Sequence, residues 1–272
     1  MKELFNIKGK TIVITGAGGI LCGTMAKALA KAGAKVAVLD LRKEAAEKIA
    51  NDIKAEGGEA IAIECDVLKK NSLQAAKEKV NAAFGKIDIL INGAGGNKKE
   101  ATTSTDALFF DMPADAIRFV FELNFIGTLL ATQVFGKEMA DNGSGVILNI
   151  SSMTALQPLT NVAVYSAAKA AVNNFTQWFA VHICHNYSKN IRVNAIAPGF
   201  FLTEQNRFLL TEGKSGELTG RGKTIIEHTP MGRFGEPDEL VGTVLWLLSD
   251  AAKFVTGIVV PVDGGFSAFS GV

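Results

Sequence analysis

Short, almost wholly apolar runs recur along the chain, separated by longer stretches in which apolar residues return every third or fourth position. The runs are Thr11 to Thr15, Val36 to Leu39, Ala60 to Glu64, Ile87 to Ile91, Val146 to Ile150, Ile191 to Ile196 and Ile258 to Val262. Their brevity and lack of polar alternation predict strands buried on both faces. The intervening spacing predicts helices up to about Ala32 before Gly33, then Lys43 to Glu56, Asn71 to Phe84, about Ala114 to Ala140, Val164 to Tyr187 and Pro237 to Leu248. Strands that alternate with helices in this way make an α/β protein, with a mainly parallel sheet covered by helices on both sides. No linker or second core interrupts the pattern, so residues 1–272 read as a single domain.

The bulk numbers narrow the partners. With 272 residues, 48% apolar and 20% charged, the chain can bury a large core. Its net charge is +1 with both signs mixed throughout, so neither nucleic acid nor an anionic membrane surface is expected. Cys22, Cys65 and Cys184 are odd in number, far apart and without metal-ligand spacing, which fits a reducing compartment; a cytoplasmic location is expected. The start, Met-Lys-Glu-Leu-Phe-Asn, has no apolar stretch behind its charges, and nowhere do eighteen apolar residues run together. Neither export nor a membrane span is expected.

Chemistry-bearing residues gather at the carboxyl ends of the strands, where open α/β sheets bind ligands. The first strand runs into Gly16-Ala-Gly-Gly-Ile-Leu-Cys-Gly23 and then a helix. Such a turn is either a plain tight connection or a cradle whose amides meet a pyrophosphate at the helix's positive end. The second strand closes on Asp40, twenty-four residues after Gly16. That carboxylate can accept from both ribose hydroxyls of NAD while repelling the 2′-phosphate of NADP, or it can cap the next helix. Arg42 is the nearby group that could meet a 2′-phosphate. Asp66 follows the third strand and is placed either to accept from an adenine amino group or to cap a helix. Asn92-Gly-Ala-Gly-Gly-Asn97 ends the fourth strand with glycines that permit close backbone approach.

Ser151 and Ser152 end the fifth strand, and Tyr165 and Lys169 stand four apart on the following helix, on one face. A neighbouring ammonium favours a phenolate, so Lys169 is expected to draw the Tyr165 pKa down towards working pH. A serine hydroxyl beside the phenol would hydrogen-bond the same substrate oxygen, which describes acid/base help for a carbonyl/alcohol interconversion. Asn124 lies in the apolar run Glu-Leu-Asn-Phe-Ile-Gly and needs partners. It is either a satisfied core amide or a link from Lys169 to solvent.

With these residues in place, the chain resembles the short-chain dehydrogenase/reductase family over essentially its whole length. The motifs are Thr15-Gly16 with its glycine turn, Asp66, Asn92-Gly-Ala-Gly95, Asn124, Ser152, Tyr165-xxx-Lys169, and Pro198-Gly199 followed by Thr203. The resemblance implies a doubly wound Rossmann-type domain with NAD bound across the strand ends. It also implies a catalytic set in which Tyr165 is the acid/base, Ser152 holds the substrate oxygen, Lys169 binds the nicotinamide ribose and Asn124 positions a relay water. The implied cofactor contacts are Gly16, Gly18, Gly19, Ile20, Leu21, Asp40, Asp66, Val67, Asn92, Gly93, Ala94, Tyr165, Lys169, Pro198, Gly199 and Thr203. One departure stands out. The family's turn usually reads TGxxxGxG, but Ile20 and Cys22 occupy its last two glycine positions. A β-branched residue excludes a positive φ at position 20, so Gly18 or Gly19 is expected to shape the turn.

Segments 92–103, 198–207 and 265–272 look like those of D-mannonate oxidoreductases (fructuronate reductases) within the family. They imply a sugar-acid ketone as substrate, with another polyol or aldonate such as gluconate as the alternative. For its carboxylate the cationic candidates are Lys98, Lys99, Arg207 and Arg233, with Asn97, Gln157 and Gln205 as neutral helpers. A substrate loop is expected at about 198–236. A catalytically silent NAD-binding regulator is the rival of another class. His182 and His185, three apart, are the sole hint of metal, and packing within the helix is the expected role; no metal site is expected. Finally, the two long helices are apolar around their circumference, through Phe119, Phe121, Phe125, Phe135, Phe175, Trp178 and Phe179. This predicts pairing across a two-fold axis, with a second contact through the tail at Phe266 and Phe269, and a homotetramer.

Overall fold

A computed structural model describes residues 3–203, 207–212 and 216–271. Each expected apolar run is a strand: β1 (Thr11–Thr15), β2 (Lys35–Asp40), β3 (Glu59–Glu64), β4 (Ile89–Asn92), β5 (Gly145–Ile150), β6 (Ile191–Pro198) and β7 (Val259–Val262). They form one sheet in the order β3-β2-β1-β4-β5-β6-β7. Expected to be mainly parallel, the sheet is parallel at every pairing. Ile87 and Asp88, expected inside the fourth strand, precede it; Asp88 instead accepts from the Thr11 amide at 3.0 Å.

The helices are α1 (Ile20–Lys31), α2 (Lys43–Ala55), α3 (Lys70–Phe84), α4 (Ala114–Phe121), α5 (Gly127–Asn142), α6 (Ala163–Asn186), α7 (Arg207–Leu210), α8 (Gly220–Glu227) and α9 (Val241–Leu248). Successive residues of β1 serve opposite layers. Ile12 and Ile14 pack with Met25, Leu29, Ile53, Val244 and Leu247 of α1, α2 and α9. Val13 packs with Leu73, Val80, Phe135, Met139 and Ile183 of α3, α5 and α6. Side chains that alternate across a sheet buried on both sides explain the continuous apolar strands. Each such core residue contributes roughly 1.5–3 kcal/mol through burial. Sheet and layers make one domain.

The helix expected from Ala114 to Ala140 is not continuous. A π-turn, Glu122–Ile126, separates α4 from α5. Asn124 lies inside it and its amide donates to the Val120 carbonyl at 2.8 Å, the acceptor its own backbone N–H would use in an α-helix. That competition widens the turn. The segment 114–142 is long and apolar enough to cross a membrane by length and composition alone. Here it is a core helix, packed on α3, α6, β4 and β5.

Candidate active site

The strand order reverses between β1 and β4, so their carboxyl ends part and open a crevice. Two cavities of about 300 and 320 Å³ lie along it and share Gly16, Gly19, Gly93 and Gly95. They form one cleft floored by glycine backbone. One end is lined by Asp40, Asp66, Val67 and Ala94. The other is lined by Ile20, Leu21, Ser152, Tyr165, Lys169, Pro198, Gly199 and Thr203.

The glycine turn is built differently from expectation. The positive φ falls at Gly16 (+67°), whereas Gly19 is extended at −79° and caps α1. Gly18 is required by space: a Cβ there would stand 2.6 Å from the Cβ of Ala45 and 2.8 Å from Oδ2 of Asp40. Ile20 opens α1, where a helical φ suits a β-branched residue and its amide is free of intrahelical bonds. Cys22 takes up the room left by Gly93, since a Cβ at 93 would lie 2.2 Å from its sulfur. The Thr15 hydroxyl closes the arrangement, accepting from the amides of Gly93 and Ala94 at 3.1 and 3.2 Å.

Asp40 is buried and does not cap α2. Its Oδ2 accepts from the Gly18 amide and its Oδ1 from the Arg42 amide, both at 3.0 Å, so the carboxylate ties the end of β2 to the glycine turn. Arg42 Nε stands 3.6 Å from the same carboxylate. Asp66 does not cap α3 either: Oδ1 accepts from Leu68 N at 3.0 Å, and Oδ2 pairs with Lys69 at 3.1 Å. Asn92, expected against the cofactor, turns its side chain into the helical layer instead, donating to Thr132 and Asn149 at 2.9 Å. Asn149 continues this buried chain to Thr176. A glycine floor, helix-start amides and an acid at the end of β2 suit a dinucleotide.

At the other end, Ser151 and Ser152 diverge. Ser151 Oγ donates to Asn173 at 2.5 Å, facing α6. Burial raises the Tyr165 pKa, and the neighbouring Ser152 hydroxyl pulls it down more weakly. Lys169 does not lower it as expected. Its ammonium passes 5.7 Å from the ring centre and donates to the Ile150 carbonyl at 2.8 Å. Burial lowers the Lys169 pKa to about 8, with a weaker opposing pull from Cys22. Asn124 is fully buried and satisfied: it donates to the Gly96 and Val120 carbonyls and accepts from the Gly96 amide at 3.1 Å. A Cβ on Gly95 would lie 2.6 Å from Asn124 Oδ1 and 3.1 Å from Lys169 Nζ, so both side chains converge on that backbone.

A third cavity, of about 460 Å³, adjoins the cleft at Phe200, which lines both. Its walls are Gln157 to Val162 on the link from Ser152 to Tyr165, Arg221, Thr224, Ile225 and His228 of α8 and its end, and Phe266 and Phe269. Of the expected substrate residues, Gln157 lines it. Asn97 is exposed and donates to Thr102 at 2.9 Å. Lys98 lies over the Phe119 ring, 5.3 Å from its centre, and Lys99 and Arg207 are exposed. Arg233 is paired with Glu239 at 2.6 Å. Gln205 lies outside the described residues. Phe266 and Phe269, expected as contacts between copies, already pack on their own chain: Phe266 meets Phe200 edge-on at 5.2 Å, and both rings flank His228. The spacing Arg221, Thr224, Ile225 and His228, a helical face, was the available but unread signal for this wall. His182 stacks on Trp178 at 4.6 Å, while His185 is exposed.

This geometry has relatives. A family model described as enoyl-(acyl carrier protein) reductase matches residues 18–267. An uncharacterized oxidoreductase of Bacillus subtilis is 50% identical over 98% of both chains. A 5-keto-D-gluconate 5-reductase of Escherichia coli is 32% identical over 97% of this chain and 98% of the enzyme. A crystal structure from Haemophilus influenzae, described as a candidate D-mannonate oxidoreductase with bound NAD, superposes with a TM-score of 0.92. It has 47% identity and covers 98% of both chains. With the fold and the strand-end cleft in agreement, the chain belongs to the short-chain dehydrogenase/reductase family and is an oxidoreductase.

Proposed function

We propose that this protein is an NAD-dependent oxidoreductase that interconverts D-fructuronate and D-mannonate. The observation that carries the reading is the meeting of Ser152, Tyr165 and Lys169 at the inner end of a glycine-floored cleft, with Lys169 buried. When bound there, NAD supplies or accepts the hydride at the substrate's reacting carbon. Tyr165 gives its hydroxyl proton to the oxygen as negative charge develops in reduction, and takes it back in oxidation. Ser152 donates a hydrogen bond to the same oxygen, where fixed donors count most. Lys169 holds the ribose and resupplies the proton; Asn124, fixed on the Gly96 backbone, keeps the floor beneath Lys169 in place.

Asp40 would accept from the adenosine ribose, and its charge favours NAD over NADP. The segment at about 198–236, through α7 and α8, forms the substrate loop. The likeness to the H. influenzae structure supports the mannonate pair. The likeness to the gluconate enzyme supports reduction of a 5-ketogluconate as the second reading. A silent NAD-binding regulator would have no need for a tyrosine, serine and lysine meeting in one buried corner. We place the protein in the cytoplasm, as a homotetramer.

The test is hydride transfer followed at the nicotinamide absorbance, with D-mannonate, D-gluconate and uncharged polyols as substrates. Turnover of D-mannonate well above the others supports the reading. Turnover confined to another alcohol defeats the substrate, and binding of NAD without any turnover defeats the enzyme.

A further inference from the structure

We propose that Arg221 recognises the substrate carboxylate and thereby sets a preference for sugar acids over neutral polyols. The inference rests on the function proposed above. In D-fructuronate and in 5-ketogluconate alike, the carbonyl that reacts stands four carbon–carbon bonds from the carboxyl carbon. A substrate whose oxygen meets Tyr165 and Ser152 must therefore carry its charge out of the catalytic cleft into the adjoining space. That space is the 460 Å³ cavity, which begins at Phe200 and runs along the segment joining Ser152 to Tyr165.

Among the described residues lining this cavity, Arg221 is the one lysine or arginine. No carboxylate among the described residues pairs with it. The other cationic candidates fall away on geometry: Arg233 is held by Glu239, Lys98 lies over Phe119, and neither these two nor Lys99 and Arg207 line the cavity. Arg221 occupies the first turn of α8, and Thr224, Ile225 and His228 follow it on the same face. His228 is fixed by its Nδ1 contact with the Thr224 carbonyl, 2.9 Å, and by the flanking rings of Phe266 and Phe269. Much of the remaining wall is apolar. Arg221 is exposed, and its planar guanidinium can grip a carboxylate through two parallel hydrogen bonds.

The pair D-mannonate and D-mannitol isolates the charge, because mannitol replaces the carboxylate by a hydroxymethyl group. Arg221→Ala should lower the mannonate-to-mannitol ratio of kcat/KM about 10- to 100-fold, the span of a charge-assisted hydrogen bond, through KM for mannonate. Arg221→Lys should retain part of the ratio, since it keeps the charge and loses the fork. An unchanged ratio in Arg221→Ala overturns the assignment, whether or not both rates fall together. Tartrate titrated calorimetrically into the NAD-loaded protein separates this from failure of the proposed function. If no hexonate turns over but tartrate binds wild type at least tenfold more tightly than Arg221→Ala, the substrate is wrong and the carboxylate site stands. If tartrate binds both equally or neither, the site is wrong.

Discussion

Lys169 stands beside the Tyr165 ring: the ammonium lies 5.7 Å from the ring centre and donates to the Ile150 carbonyl at 2.8 Å. The phenol's proton is therefore governed first by burial and then by Ser152. The hydroxyl stays protonated, as a donor to a developing alkoxide must.

Tyr165→Phe removes that proton and keeps the ring. The kcat should fall at least about a hundredfold, the usual span for lost acid/base help, while the dissociation constant for NAD changes little. Steady-state rates beside a fluorescence titration with NADH check this. Activity within a few fold of wild type would remove Tyr165 from the chemistry.

The lowered pKa of Lys169 makes stability depend on pH. Its pKa in the fold is about 8, against 10.5 for an unperturbed lysine, because burial disfavours the ammonium. Between these values the unfolded chain holds the proton and the folded chain does not. Stability of the NAD-free protein should therefore rise with pH across that window, by up to about 3 kcal/mol. Lys169→Met should lack this rise. Urea midpoints measured from pH 7 to 10.5 on both proteins decide it, and parallel curves would contradict the buried, depressed lysine.

Asp40→Ala should weaken NAD binding about tenfold or more and relax discrimination against NADP. Both the ribose acceptor and the repulsive charge are lost, and the Gly18 and Arg42 amides lose their anchor. Binding isotherms for both dinucleotides provide the measurement; a preserved preference would rule out this placement.

Gly93→Ala drives a methyl against the sulfur of Cys22 and to within 2.8 Å of the Thr15 carbonyl. It should cost about 1–3 kcal/mol. Adding Cys22→Gly should recover part of that loss, so a double-mutant cycle should give a favourable coupling. Additive losses in denaturation would mean that the two residues do not share the space.

Phe119, Trp178 and Val181 stay exposed on α4 and α6. Light scattering at micromolar concentration should find an assembly rather than a particle of 28.8 kDa, and Trp178→Glu should shift it towards monomer. A fully active monomeric wild type would leave this face without a partner.

Strands and helical layers were legible because a sheet buried on both sides writes itself as uninterrupted apolar runs. Tyr165, Ser152 and Lys169 were legible because spacing on one helix, after one strand, brings them together. What escaped depends on contacts between distant residues. The π-turn leaves apolar spacing nearly unchanged; it arises from where the Asn124 amide goes. Gly16 carries the left-handed φ and packs against the Ala94 backbone, whereas Gly18 is needed for close approach over Asp40 and Ala45. The side chain of Asn92 is claimed by Thr132 and Asn149, which neighbouring letters do not reveal. Arg221 was hidden in a long connecting segment, and its helical face matters only once Phe266 and Phe269 are seen opposite.

The cavity beyond Phe200 draws its walls from residues 157–162, 221–228 and 266–269; all three lie outside the strands and the helix that hold the hydride-transfer corner, and the last two are also remote from it in sequence. Choice of substrate and capacity for catalysis are thus partly decoupled in the chain. Alterations in α8 or the tail can retune which alcohol is accepted while the strand-end machinery is left intact, which makes those segments the natural place to redirect this scaffold to a new substrate.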